Sequence, residues 1–351
     1  MFIIGIGTAA PPNRYSQMQC WEALQSSIQF HQLAPRSRAI LRKVLTNNNG
    51  IATRHLAFDN LSEAFDLTPD ALHQRFIKTA PAIASQAAER AMKDAATDPK
   101  DIDALLISTC TGYLCPGLTS YVGERLGLRP DVFGLDLVGQ GCGAALPNFR
   151  SAEALLKSGQ AKRVLSICVE VCSAAFYLDD DIGVLISACL FGDGAGAAVL
   201  ANEPSTNRRV KWRTSRSMLQ PNDRELLRFE QRNGMLRNIL APQVPSIAAG
   251  HVENLFTSTL RDHAVSPSEV AGWVFHPGGR DVLTAVRDKL NLSADDVRWS
   301  EAVLRDFGNI SSPSVYFVLQ NALQDSVPDG LWWMSSFGAG FSCHGALLEV
   351  G

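Results

Sequence analysis

The chain has 351 residues, 46% of them hydrophobic and 19% charged, with 32 basic and 35 acidic side chains and a formal charge of −3. That length suggests two domains or one duplicated domain, and it supports a core without disulfide or metal staples. The balanced charge, with no long run of one sign, argues against nucleic acid as a partner. No apolar run reaches the roughly 18 residues needed to span a bilayer, and the start MFIIGIGTAAPP lacks a basic leader region. A cytoplasmic globular protein is the expectation. The eight cysteines form no CxxC, and no histidine stands at zinc-finger spacing from a cysteine pair, so no metal site is expected.

Taken in chain order, an Ala-rich stretch with apolar positions three and four apart predicts a helix over Ala80–Ala96. Short runs rich in Val, Leu and Ile predict buried strands over Asp103–Thr109, Val132–Gly139 and Arg163–Glu170. Between the last two, Ala144–Lys157 reads as a helix, its first turns expected to kink at Pro147. Ala188–Ala201 reads as a glycine-rich turn feeding a strand, and the polar run Asn202–Arg209 marks a joint. Strands follow near Val210–Arg213, Gly272–Phe275, Gly330–Ser335 and Gly345–Val350, with helices near Ser246–Asp262, Gly279–Leu290 and Ser314–Gln324. Alternating strand and helix on both sides of the joint predicts an α/β architecture of two pseudo-equivalent halves, 1–205 and 206–351.

Four segments could carry chemistry. In Gly139-Gln140-Gly141-Cys142-Gly143, a thiol follows a strand and opens a helix, where unpaired N–H groups favour the thiolate. The same pattern also suits a cysteine that merely packs between strand and helix. His276, in Trp273–Gly279, ends an apolar strand, the edge where ligands gather in α/β sheets. A lone histidine there is as compatible with a structural role. Asn309 lies in the turn Gly308-Asn309-Ile310-Ser311-Ser312-Pro313, where it serves either as a cap or as an amide donor. The segment Ser336–Phe341 reads as a loop joining two strands. GIGTAAPP holds only a lone GxG and does not make a dinucleotide fingerprint.

The order of these motifs, with LFGDGAG (190–196) and STCTGYLCPG (108–117), resembles the type III polyketide synthases. These form the chalcone and stilbene synthase family of the thiolase-fold superfamily. The resemblance implies a layered αβαβα fold whose two duplicated αβα halves have mixed sheets. It implies Cys142 as acyl-carrying nucleophile, with His276 and Asn309 completing a triad. Cys142 and His276 are then expected as thiolate and imidazolium, attacking an acyl-CoA. His276 and Asn309 would also hold the enolate left when malonyl-CoA loses CO₂. Phe191 matches a gatekeeper phenylalanine, and Asn238 stands for a second one. Cys110, Cys172 and Ala175 replace cavity threonines, Ser187 replaces a glycine, and Ala339 replaces a loop proline. Thr111, Ser311, Phe337 and Gly338 lie in the matching motifs and complete the expected substrate set.

Arg38, Arg42 and Lys43, near Arg36, fall where the family contacts CoA phosphates, although a solvated helix face has the same composition. CoA thioesters are the expected substrates, with no redox cofactor or metal. A homodimer is implied, paired through the segments beside the nucleophile and Cys115-Pro116-Gly117. The departures fit bacterial members that make alkylpyrones or alkylresorcinols from an acyl-CoA starter, or tetrahydroxynaphthalene from malonyl-CoA alone. A ketoacyl-ACP synthase III-like enzyme and a non-catalytic acyl-CoA-binding relative are the competing readings.

Overall fold

The computed structural model describes residues 1–204, 210–325 and 329–351. The first half opens with β1 (Phe2–Ala9), the short pair β2 (Arg14–Ser16) and β3 (Thr53–His55), and three helices between them: α1 (Gln17–Gln25), α2 (Ile28–Gln32) and α3 (Pro35–Thr46). It continues through α4 (Pro69–Asp94), β4 (Ala104–Ser108), α5 (Leu118–Leu126), β5 (Phe133–Leu137) and α6 (Ala145–Lys157). It closes with β6 (Arg163–Glu170), α7 (Ile182–Leu190) and β7 (Gly194–Ala201). The second half holds β8 (Val210–Leu219), the hairpin β9 (Leu227–Arg232) and β10 (Met235–Leu240), and α8 (Val244–Asp262). After these come β11 (Val270–Phe275), α9 (Arg280–Lys289), α10 (Arg298–Phe307), α11 (Ser314–Gln324), β12 (Gly330–Gly338) and β13 (Ser342–Val350).

Nine strands form one mixed sheet in the order β5-β4-β6-β7-β1-β8-β13-β12-β11. Outward from the centre, β1, β7, β6 and β4 pair antiparallel, antiparallel, then parallel, and β8, β13, β12 and β11 repeat that series. Among the described residues the two runs join through two residue pairs, Phe2↔Lys211 and Ile3↔Val210. The joint expected at Asn202–Arg209, with the 205/206 boundary, extends into residues 205–209, which lie outside the described residues.

The layers follow from which helices are apolar on more than one face. α6 packs on β4 and β6 and also on β12 and β13, and α11 packs on β1 and β7 as well as β11 and β12. These two helices form the middle layer, their core holding Phe149, Tyr316, Trp212 and Trp332. α4 covers one outer face with Ala80, Ala84, Ala87, Ala88 and Ala91, small side chains that let helix and sheet approach closely. It starts eleven residues before the expected Ala80, because Thr68 caps it and Pro69 occupies its first position. α8 and α9 cover the other outer face. α1, α3 and α7 form a separate apolar cap.

Two expectations change. The run at 132–139 is expected to be buried, yet its strand β5 is the sheet's edge strand, with Phe133 51% exposed and Val138, just past the strand, 61% exposed. Pro147 sits at the third position of α6, where no intrahelical N–H bond is made, so it costs the helix nothing there.

Candidate active site

Cys142 lies in a tight turn, Gly141–Gly143, between β5 and α6. Gly141 adopts φ +54°, a left-handed conformation in which glycine avoids Cβ strain. The opposite side of this elbow is β12. Ser336 Oγ donates to the Gly143 carbonyl at 3.1 Å. A Cβ on Gly338 would lie 2.5 Å from Gly143 N and 3.0 Å from Cys142 N, so only glycine permits this contact. Ser336–Gly338 therefore belong to a strand bracing the nucleophile, where a loop was expected.

A ring of contacts joins the expected residues. Ser311 Oγ donates to Cys142 Sγ at 3.2 Å, and Ser311 N donates to Asn309 Oδ1 at 2.8 Å. Asn309 Nδ2 donates to the Gly278 carbonyl at 3.0 Å. The His276 ring meets Phe337 edge-on at 5.2 Å between centroids, and Gly338 returns the ring to Cys142. Leu190 O and Gly192 N bond the backbone of Asn309, which fixes Phe191 beside it.

The two groups expected as thiolate and imidazolium are not in hydrogen-bond contact in this arrangement. No hydrogen bond joins Cys142 and His276 among the described residues, and both ring nitrogens of His276 are buried without a partner. Burial pushes the Cys142 thiol up to about 12, partly offset by the Ser311 hydrogen bond, and pushes His276 down to about 3. Removing water penalises each charge, and the dipole of a helix that begins three residues after Cys142 does not compensate. Burial thus favours the uncharged form of each group taken by itself.

The His276 environment has a measurable consequence. Below pH 6.5 the unfolded chain protonates this side chain and the folded chain does not until about pH 3, so its presence makes acid destabilising. His276→Gln is expected to gain stability relative to the parent as pH falls below 6.5, by about 1.4 kcal/mol per unit. Urea titrations of both proteins at pH 7 and pH 5 check this, and a pH-independent difference contradicts it.

A cavity runs from Cys142 along Cys110, Thr111, Cys172, Ala175, Ser187, Phe191, Asn238, Ser311 and Ala339. It continues beneath α1 and α3 into a wall of Leu24, Leu41, Leu45, Leu56 and Phe58. Asn309 adjoins this lining through Ser311, and Gly338 adjoins it through the elbow, with Phe337 and His276 packed beside it. Arg38, Arg42 and Lys43 do not meet the cavity. They share a shallow groove with Trp21 and Phe30 on one face of α3, while Leu41 and Leu45 of the same helix line the cavity.

Sequence reasoning missed Glu170. This fully buried carboxylate accepts from Cys110 N at 3.0 Å, Cys110 Sγ at 3.3 Å, Thr111 Oγ1 at 2.9 Å and Ser312 Oγ at 2.7 Å. Burial raises its pKa against the pull of those bonds, and its charge in turn helps hold the Cys110 thiol well above its usual range. The available signal was a single acid ending the apolar strand RVLSICVE. Arg54 was missed as well. It is buried in the cavity wall, donating to the carbonyls of Ala188 at 2.9 Å and Phe191 at 3.0 Å.

An elbow thiol before α6, a histidine at the end of β11 and an asparagine between α10 and α11 lie together in a layered αβαβα fold of the thiolase-like kind. The family model for FAE1/Type III polyketide synthase-like protein matches residues 9–223, and that for the C-terminal domain of chalcone and stilbene synthases matches residues 213–348. The chain belongs to the type III polyketide synthase family. A 1,3,6,8-tetrahydroxynaphthalene synthase of Streptomyces peucetius subsp. caesius is 31% identical over 99% of this chain and 92% of its own. A 3,5-dihydroxyphenylacetyl-CoA synthase of Streptomyces toyocaensis is 28% identical over 99% and 89%. Among solved structures, PKS-I of the brown alga Ectocarpus siliculosus superposes with TM-score 0.90 at 25% identity, covering 99% of this chain and 97% of that one. Tetrahydroxynaphthalene synthase of Streptomyces coelicolor shares the fold at TM-score 0.89 and 20% identity, covering 99% of both chains.

Proposed function

We propose that this polyketide synthase primes itself with a medium-to-long acyl-CoA held on Cys142, extends it with malonyl-CoA, and cyclises the product to an alkylpyrone or alkylresorcinol. In the priming step Cys142 Sγ attacks the acyl carbonyl, and the thiol's proton leaves with the CoA sulfur. Malonyl-CoA then loses CO₂, and the electron pair of the broken C–C bond becomes an enolate. A neutral His276 has one N–H to give, and Asn309 Nδ2 keeps a second N–H beyond its bond to Gly278. Two such donors suit an enolate oxygen in a dry site. The enolate carbon attacks the Cys142 thioester, which returns the sulfur as thiolate and the lengthened chain as a CoA thioester. Ser311, donating to that sulfur, steadies its charge. No metal or redox cofactor enters these steps.

The observation that carries the starter class is the cavity's apolar continuation from Cys142 toward Leu41, Leu45 and Phe58. Each methylene buried there gains about 0.8 kcal/mol. The test is kcat/KM across C2 to C18 acyl-CoAs with labelled malonyl-CoA, products read by mass. Rising efficiency with chain length supports the reading, and inert long chains overturn it. The second reading, malonyl priming, draws on Cys110 at the cavity wall and on the relative named as a tetrahydroxynaphthalene synthase. Efficient conversion of malonyl-CoA alone would favour it.

A homodimer accompanies this reading. Phe133, Leu135, Val138 and Tyr113 expose apolar side chains along the edge strand and the nearby loop, and an open edge invites pairing. Leu135→Glu with Val138→Asp is expected to convert a dimer to monomer in sedimentation at micromolar concentration. A parent protein that is already a stable, active monomer contradicts it. Eight free thiols fit a reducing compartment such as the cytoplasm. Arg38, Arg42 and Lys43 would serve CoA phosphates from the outer groove.

A further inference from the structure

The hairpin β9–β10 lays one face on the cavity and the other on an ion cluster centred on the buried Arg237. Phe229 and Asn238 are cross-strand partners and both line the cavity. The next pair, Glu230 and Arg237, faces the other way, as strand alternation requires. The Arg237 side chain is only 9% exposed. Its Nε donates to Asp179 Oδ2 at 2.7 Å, Nη1 donates to Glu230 Oε1 at 2.9 Å, and Nη2 lies 3.5 Å from Asp181 Oδ2. Arg232 also reaches Asp179, at 3.8 Å, and Arg228 reaches Glu230 at 2.9 Å.

The acidic run Asp179–Asp181 ties together the other walls of the cavity. Asp181 Oδ1 accepts from Gly183 N at 2.9 Å and Val184 N at 3.3 Å, capping α7, which supplies Ser187 to the cavity. Asp180 Oδ1 accepts from Ala34 N at 2.9 Å, at the start of α3, which supplies Leu41. An independent contact holds hairpin and helix together. A Cβ added at Gly183 would lie 2.4 Å from the Leu240 carbonyl oxygen, so α7 and the end of β10 touch backbone to backbone.

We propose that Arg237 is a positioning residue that determines product length. Through Asp179, Asp181 and Glu230 it clamps the hairpin onto α7, and so sets the gap between Phe229 and Asn238 on one side and Ser187 on the other. That gap limits how many malonyl units the growing chain gains before it cyclises. Arg rather than Lys suits the position, because a planar fork meets several carboxylates in fixed directions.

The inference rests on the polyketide synthase reading, and its test separates the two. Arg237→Met, Arg237→Lys and Asp179→Asn are compared with the parent for product distribution from one acyl-CoA, malonyl-CoA decarboxylation, and amide hydrogen exchange. Arg237→Met and Asp179→Asn are expected to raise exchange over 227–240 at least tenfold and leave it unchanged over 139–146. They should change the ratio of longer to main product at least threefold and keep decarboxylation within twofold. Arg237→Lys should fall between them and the parent. Unchanged exchange in the folded variants overturns the clamp, and faster exchange with an unchanged product ratio overturns its role in product length. Should Arg237→Met fail to fold, Arg237→Lys and Asp179→Asn decide by the same readings. A parent that makes no polyketide defeats the functional reading, while the exchange data still decide the clamp.

Discussion

Cys142→Ala is expected to lower polyketide formation by at least about 10³-fold while leaving the fold intact, because it removes the atom to which the chain is joined. The loss of one sulfur at a braced turn is a small change in packing. Cys110 is the neighbouring competitor. It shares the Ser311 hydroxyl at 3.8 Å, but its thiol donates to the Glu170 carboxylate at 3.3 Å, and burial with that charge raises it well above the usual thiol range. Cys142→Gln separates the steps further. It should lose condensation and keep malonyl-CoA decarboxylation, since the proposed enolate donors are His276 and Asn309. Product yield is read by mass and decarboxylation by release of labelled CO₂. Parent-like yield from folded Cys142→Ala contradicts the nucleophile assignment, and loss of decarboxylation in folded Cys142→Gln contradicts the division of labour.

The second large effect is expected at Ala175. This buried residue lies in the turn Cys172–Ala175 and lines the same cavity as the nucleophile and the apolar wall. An indole there obstructs the route that a long acyl chain would follow. Excluding four methylenes at about 0.8 kcal/mol each removes about 3 kcal/mol of binding, roughly two decades. Ala175→Trp should therefore lower kcat/KM for C12 acyl-CoA by about a hundredfold and leave C2 within a few-fold. An unchanged chain-length preference means that the starter does not pass this residue.

Much of the frame was legible in hydrophobic pattern. α11 begins and ends where Ser314 and Gln324 were expected, because Ser312-Pro313 before it and Asp325 after it interrupt the apolar run. The Val132–Gly139 run misled because its Val, Phe and Leu content matches that of a buried strand, although β5 ends the sheet and leaves those side chains exposed. The hairpin β9–β10 passed unnoticed although Asn233-Gly234, at φ +52° and +77°, is a strong two-residue turn signal.

At the site, Cys142, His276 and Asn309 stood out through the glycines and prolines beside them. The opposing effect of burial on both groups was not legible, since a helix-dipole argument from sequence carries no measure of desolvation. Glu170, Arg54 and Arg237 act through partners 60 or more residues distant in some cases, as with Cys110 and Glu170, and local pattern does not register such pairings.

The central claim is that one particular sulfur carries the growing chain. It is tested most directly by incubating the protein with a C12 acyl-CoA without malonyl-CoA, then locating the adduct by peptide mass. The account predicts a single acyl group on the peptide containing Cys142, and none on that peptide in Cys142→Ala. An adduct confined to Cys110 or Cys172, or no adduct from any acyl-CoA that is turned over, would contradict it.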